Sequence, residues 1–101
     1  MITASHDSAT KTVTVKVNDH DAFVNYDDDG QCLSVYHSFV PEHLRGKGLG
    51  RILAREAIGL LLSDRPEATI RLTCSYLQLY YRRHAKQDLD EDQLRRVSAD
   101  E

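Results

Sequence analysis

Between Pro41 and Arg51 the chain has no Ser, Thr, Asp or Asn, yet an amphipathic pattern begins at Leu49. A helix starting there lacks the side chains that usually satisfy the first amide groups. The stretch Val40-Pro41-Glu42-His43-Leu44-Arg45-Gly46-Lys47-Gly48-Leu49-Gly50-Arg51 that leads into it is rich in glycine and basic residues. Glycines let backbone N–H groups turn toward an anion, and the helix dipole with flanking cations favours negative charge. The segment reads as an anion-binding helix start, with a tight strand-to-helix turn as the alternative that the loop alone leaves open. On either reading the chain passes from a strand into a helix with little between them.

The spacing excludes two familiar phosphate loops. A Walker loop needs glycine where Pro41 stands and Ser or Thr where Gly48 stands. The dinucleotide fingerprint needs Gly or Ala at Arg51 or Leu53. Arg-x-x-Gly-x-Gly does fit, as Arg45, Gly48 and Gly50. That pattern resembles the pyrophosphate-binding loop of the GCN5-related N-acetyltransferases. Leu72-Thr73-Cys74-Ser75-Tyr76-Leu77-Gln78-Leu79-Tyr80 extends the likeness to the small single-domain NATD1-like and YjdJ-like branch of that superfamily, and the similarity runs from about Val13 to His84. One departure is that relatives often carry Thr-Glu where this chain has Ser38-Phe39, so no acidic base is carried over at that point.

Period-two alternation over Thr12-Val13-Thr14-Val15-Lys16-Val17 predicts a first strand, and Ala22 to Tyr26 a second. The turn Asp27-Asp28-Asp29-Gly30 then reverses the chain into a longer strand from Gln31 to about Val40. Glycine-centred turn chemistry accounts for these aspartates, because an EF-hand register would place Tyr36 where the twelfth-position Glu belongs. Leu49, Ile52, Leu53, Ala57, Leu60 and Leu61 predict a helix to about Ser63, ended by Asp64-Arg65-Pro66. A short strand from Ala68 to Thr73 precedes a second helix from Tyr76 to about Ala85, which puts Tyr76, Tyr80 and His84 on one face.

This order predicts an α+β fold: an antiparallel meander, then a helical crossover that makes the long strand and the strand near Leu72 parallel neighbours. The resemblance implies the minimal GCN5-related acetyltransferase fold with two main helices, in which that pair splays apart to admit the cofactor. Residues 1–11 are expected as an arm, 12–86 as the domain, and 87–101 as an acidic tail or short helix with Asp90 and Gln93 at capping-box spacing.

Composition sets the remaining limits. A chain of 101 residues with 41% hydrophobic content supports one modest core. A net charge of −3 and the lack of zinc-finger, homeodomain or RRM-type motifs argue against nucleic acid as a partner. No apolar run of about 18 residues is present, and the polar start does not read as a signal peptide, so a cytoplasmic monomer without a membrane partner is expected. Cys32 and Cys74 are read as reduced thiols.

The resemblance implies acetyl-CoA, or coenzyme A, as cofactor, bound by Phe39, Val40, Arg45, Gly46, Lys47, Gly48, Leu49, Gly50 and Arg51. A solvated helix face explains Arg51 and Arg55 as well as phosphate steering does. Cys74, Tyr80 and Tyr76 are the candidate catalytic residues. Cys74 has three readings: a nucleophile, a polar contact to the CoA sulfur, or a small buried residue, with His37 and His84 as candidates to activate it. Tyr80 is the first candidate acid and Tyr76 the second; packing on the sheet is the alternative for Tyr80. The implied activity is direct acetyl transfer to an amine that the sequence does not identify. A CoA-binding module without turnover and an interaction domain with a vestigial loop remain as the other classes.

Overall fold

Over residues 1–44, 46 and 48–99, which the computed structural model describes, six strands and three α-helices follow one another. The strands are β1 (Ile2–Asp7), β2 (Thr12–Val17), β3 (His20–Asp28), β4 (Cys32–Phe39), β5 (Thr69–Leu72) and β6 (Val97–Ala99). The helices are α1 (Leu49–Asp64), α2 (Ser75–Asp88) and α3 (Glu91–Arg96), with a 3-10 turn at Glu42–Leu44 ahead of α1. All the strands join one sheet in the order β1-β2-β3-β4-β5-β6. Pairing is antiparallel as far as β4, while β5 runs parallel to β4 and β6 parallel to β5. This is the expected α+β architecture, with a further strand at each edge.

The apolar alternation decides which face of the sheet meets the helices. Val13, Val15, Val24, Leu33, Val35, Ile70 and Leu72 are buried against Leu53, Ala57, Ile58 and Leu61 of α1 and Leu77 of α2. Fully buried side chains such as Leu53 and Leu61 each contribute about 1.5–3 kcal/mol through burial. Both parallel crossovers are right-handed by rule, which sets α1 and α2 on the same face. The opposite face, with Thr12, Thr14, Phe23, Asn25 and His37, contributes no buried residue among those described. No helix among them is long and apolar enough to cross a membrane.

The acidic turn holds itself together. Asp28 Oδ1 accepts from the Gly30 amide, and Asp29 Oδ1 from the Gln31 and Cys32 amides. Arg65 donates to Asp28 Oδ2 at 2.5 Å and so ties the end of α1 to this turn. Arg96 then caps the same end, donating to the carbonyls of Leu62, Arg65 and Ala68.

The start of the chain differs from the sequence expectation, and the end has the expected short helix with one strand added. Residues 2–7 form an edge strand, not an arm, so the first strand begins ten residues earlier than Thr12. Its polar sequence hides the pattern, because only Ala4 and His6 are partly buried. The tail forms α3 with the full Asp90–Gln93 capping box, and then adds β6 beside β5.

His6 holds β1 in place. Its Nδ1 lies 2.8 Å from Asp64 Oδ2 at the end of α1, and its Nε2 lies 2.5 Å from the hydroxyl of buried Tyr26. Replacing His6 by Ala strands that hydroxyl and is expected to cost about 1–3 kcal/mol in urea unfolding. Adding Tyr26→Phe should recover part of the loss; no recovery would show that the hydroxyl is satisfied by other means.

Candidate active site

The site begins where two strands stop being neighbours. β4 pairs with β5 only over Cys32–Val35 and Thr69–Leu72. Beyond that the Val35 carbonyl accepts from the Thr73 amide at 3.0 Å and the Cys74 amide at 3.3 Å, and α2 starts. β4 continues to Phe39 with no strand on that side. A notch opens there, at the place the sequence predicts.

A bulge coincides with the notch. Tyr26 pairs with Val35 and Asn25 with His37, leaving Tyr36 as an extra residue on β4. One inserted residue reverses the facing of all that follow. His37 and Phe39 therefore share the uncovered face with Asn25 and Phe23, and Ser38 turns to the helix side. His37 Nδ1 lies 3.0 Å from Asn25 Oδ1, and the Phe23 and Phe39 rings stack at 5.2 Å. Sequence periodicity alone assigns these faces the other way round.

The notch holds a cavity of about 240 Å³ lined by His37, Ser38, Val40, Cys74 and Tyr76. Ser38 Oγ and Cys74 Sγ are 3.4 Å apart in its wall. Both cysteines are free thiols. His84 does not line this cavity; it faces the neighbouring one.

That second cavity, about 320 Å³, lies at the start of α1 and is lined by Gly46, Gly48, Gly50, Arg51, Tyr76, Leu79, Tyr80, Arg83 and His84. Gly48 is the N-cap, left-handed at φ 82° and without a side-chain capping bond. Gly46 is also left-handed, at φ 84°. Helical bonding starts with the Ile52 amide to the Gly48 carbonyl, so the amides of Leu49, Gly50 and Arg51 have no intrahelical partner. The uncapped start expected from the sequence is thus present. Arg45 and Lys47 lie outside the described residues. Leu49 is buried in the core and offers only its backbone, while Phe39, half exposed on the other face, lines neither cavity.

Tyr76 lines both cavities. Its hydroxyl rests on Gly50 so closely that a Cβ built there would lie 1.5 Å from the oxygen. Glycine at position 50 is what admits the ring.

Tyr76, Tyr80 and His84 share one face of α2, as their spacing predicts, but Tyr80 is held differently. It is buried and donates to Asp88 Oδ2 at 3.1 Å. Burial, then the adjacent carboxylate, pushes its phenol well above the usual range. Asp88 also receives two bonds from Arg51, at 3.0 and 2.8 Å. The Arg51 guanidinium holds the Asp88 carboxyl below its ordinary value. Arg51 is therefore engaged in joining α1 to α2, a partnership the spacing with Arg55 did not reveal. Nor did any local signal point to Leu79, Arg83 or Asp88, whose roles depend on how the helices pack.

Comparison with known proteins agrees with this geometry. The family model described as GCN5-related N-acetyl-transferase matches residues 12–90. Protein NATD1 of Gallus gallus is 33% identical over 82 residues, covering 78% of this chain and 73% of that protein. Protein NATD1 of Homo sapiens is 33% identical over 82 residues, covering 78% of this chain and 71% of that protein.

Proposed function

Because the chain belongs to the GCN5-related N-acetyl-transferase family, we propose that it moves an acetyl group from acetyl-CoA to an amine by direct transfer. The observation that carries this reading is the uncapped start of α1, whose glycine-lined cavity meets the notch at Tyr76. The amides of Leu49, Gly50 and Arg51, with the helix dipole behind them, would hold the CoA pyrophosphate. The sequence of this loop also carries the basic residues Arg45 and Lys47. Tyr76, which lines both cavities, would guide the pantetheine arm toward the notch, where Cys74 and the β4 edge at Ser38, Phe39 and Val40 would flank the thioester.

In the notch the amine nitrogen attacks the thioester carbon, and backbone amides of β4 stabilise the oxyanion. Collapse expels the CoA thiolate, which needs a proton. Tyr80 is poorly suited to give it, because its hydroxyl already donates to Asp88 and its acidity is weakened. Tyr76 lines the notch and its hydroxyl has no hydrogen-bond partner among the described residues, so it is the preferred acid. Cys74 acts as a polar neighbour of the sulfur. Intact-mass measurement after incubation with acetyl-CoA is expected to show no acetyl adduct on it. A Cys74-dependent adduct that disappears on adding an amine would replace direct transfer with a ping-pong route.

A second reading is a CoA or acyl-CoA binding module without turnover. It rests on the same uncapped start of α1, which would hold CoA whether or not transfer follows. Calorimetric titration with acetyl-CoA, followed by free-thiol release against a panel of primary amines, separates the two. Binding with amine-dependent thiol release supports the transferase, binding without release supports the module, and no binding removes both.

A further inference from the structure

We propose that His37 is the base that takes the proton from the attacking amine, through Nε2. This rests on the acetyl-transfer reading above. A row of side chains crosses three strands of the uncovered face, Thr12 on β2, Asn25 on β3 and His37 on β4.

Hydrogen-bond bookkeeping along this row assigns every proton. Thr12 Oγ1 donates its hydrogen to the Thr10 carbonyl at 3.1 Å, so toward Asn25 it can only accept. The Asn25 atom 3.0 Å from it is therefore the amide nitrogen, Nδ2. The other Asn25 atom, 3.0 Å from His37 Nδ1, is then the carbonyl oxygen, which can only accept. His37 Nδ1 must carry a hydrogen. In the neutral ring Nε2 keeps its lone pair, and no described residue donates to it.

The location fits the task. His37 lines the notch cavity from the uncovered face, opposite the side on which Ser38 and Cys74 meet. A thioester coming from the start of α1 arrives on the helix side. An amine arriving from the uncovered face passes the imidazole and the Phe23–Phe39 stack, whose Phe23 ring lies 5.9 Å from His37. Among the described residues, Asn25 and Phe23 from β3 contact the ring, and Ser38 from β4, Cys74 at the N-cap of α2 and Tyr76 on α2 line the cavity with it. The titratable groups among these are a thiol and a phenol, so no carboxylate or ammonium among the described residues lines this cavity.

In the step, the amine nitrogen forms the C–N bond, its proton passes to His37 Nε2, and the C–S bond breaks with its electron pair going to sulfur. The thiolate takes a proton from Tyr76. The imidazolium proton then restores the tyrosine through solvent, and the sum is amide plus free thiol.

Two measurements test this, with calorimetric acetyl-CoA binding recorded for every variant. Nitrogen-15 NMR of labelled imidazoles should show neutral His37 as the Nδ1–H tautomer, and Asn25→Ala should mix the tautomers. With benzylamine and n-butylamine as probe acceptors, the wild type should acetylate both. His37→Gln should lower kcat/KM near neutral pH by about 10²-fold, with acetyl-CoA affinity unchanged. An Nε2–H tautomer in the wild type, an unaltered kcat/KM in His37→Gln, or a wild type that binds acetyl-CoA yet acetylates neither amine would each overturn the assignment. Failure of the wild type to bind acetyl-CoA would instead fall on the transferase reading itself.

Discussion

Tyr76→Phe lowers acetyl transfer by about 10²- to 10⁴-fold while leaving acetyl-CoA affinity nearly intact, if its hydroxyl protonates the departing thiolate. The substitution keeps the ring that spans the two cavities and deletes only the proton. Tyr80→Phe is the matched control: that hydroxyl is occupied by Asp88, so turnover should stay near wild type. Stopped-flow thiol release, under conditions where chemistry limits the rate, reads both. Equal turnover in Tyr76→Phe and wild type would take the acid role from Tyr76. A large loss confined to Tyr80→Phe would return it to the residue that sequence reasoning ranked first.

Gly48→Val weakens acetyl-CoA binding by at least about 10- to 100-fold, equivalent to roughly 1.4–2.8 kcal/mol. Two effects combine. At φ 82° the backbone of residue 48 is in the left-handed region, where a β-branched side chain is strained. The strain falls on the residue that aims the first free amides of α1, so the cradle is distorted even where the fold survives. Calorimetry alongside circular dichroism separates the two outcomes. Wild-type affinity in a folded Gly48→Val protein would mean that the cradle does not hold the cofactor.

Much of this arrangement was legible in the chain because it depends on local chemistry. The uncapped start at Leu49 and the shared face of Tyr76, Tyr80 and His84 follow from residue type and helical spacing. The acidic turn at Asp28 and Asp29 and the capping box at Asp90 are likewise local. What stayed hidden depends on partners distant in sequence. β1 shows too little apolar alternation to be read, because half-buried Ala4 and His6 are its main inward contacts. β6 is too short to be seen, and Val97 reads equally well as the last apolar residue of a helix.

The candidate site divides in the same way. Glycine conformation and the place of Cys74 after a strand were readable. The Tyr36 bulge was not, although it decides that His37 takes the uncovered face and Ser38 the helix side. Arg51 and Tyr80 were implied as ligand and acid by the family resemblance, yet packing of α1 on α2 gives both to Asp88, which is 7% exposed. Whether a polar side chain is available for chemistry is a tertiary property that spacing does not record.

The central claim, that the start of α1 holds coenzyme A, is tested most directly by following backbone amides in a nitrogen-15 NMR titration with coenzyme A. The account predicts the largest saturable shifts at Gly46, Gly48, Leu49, Gly50 and Arg51, with smaller ones at Cys74 and Tyr76 and almost none in β1. Saturable shifts centred on another surface, or none at the first turn of α1 at millimolar coenzyme A, would contradict it.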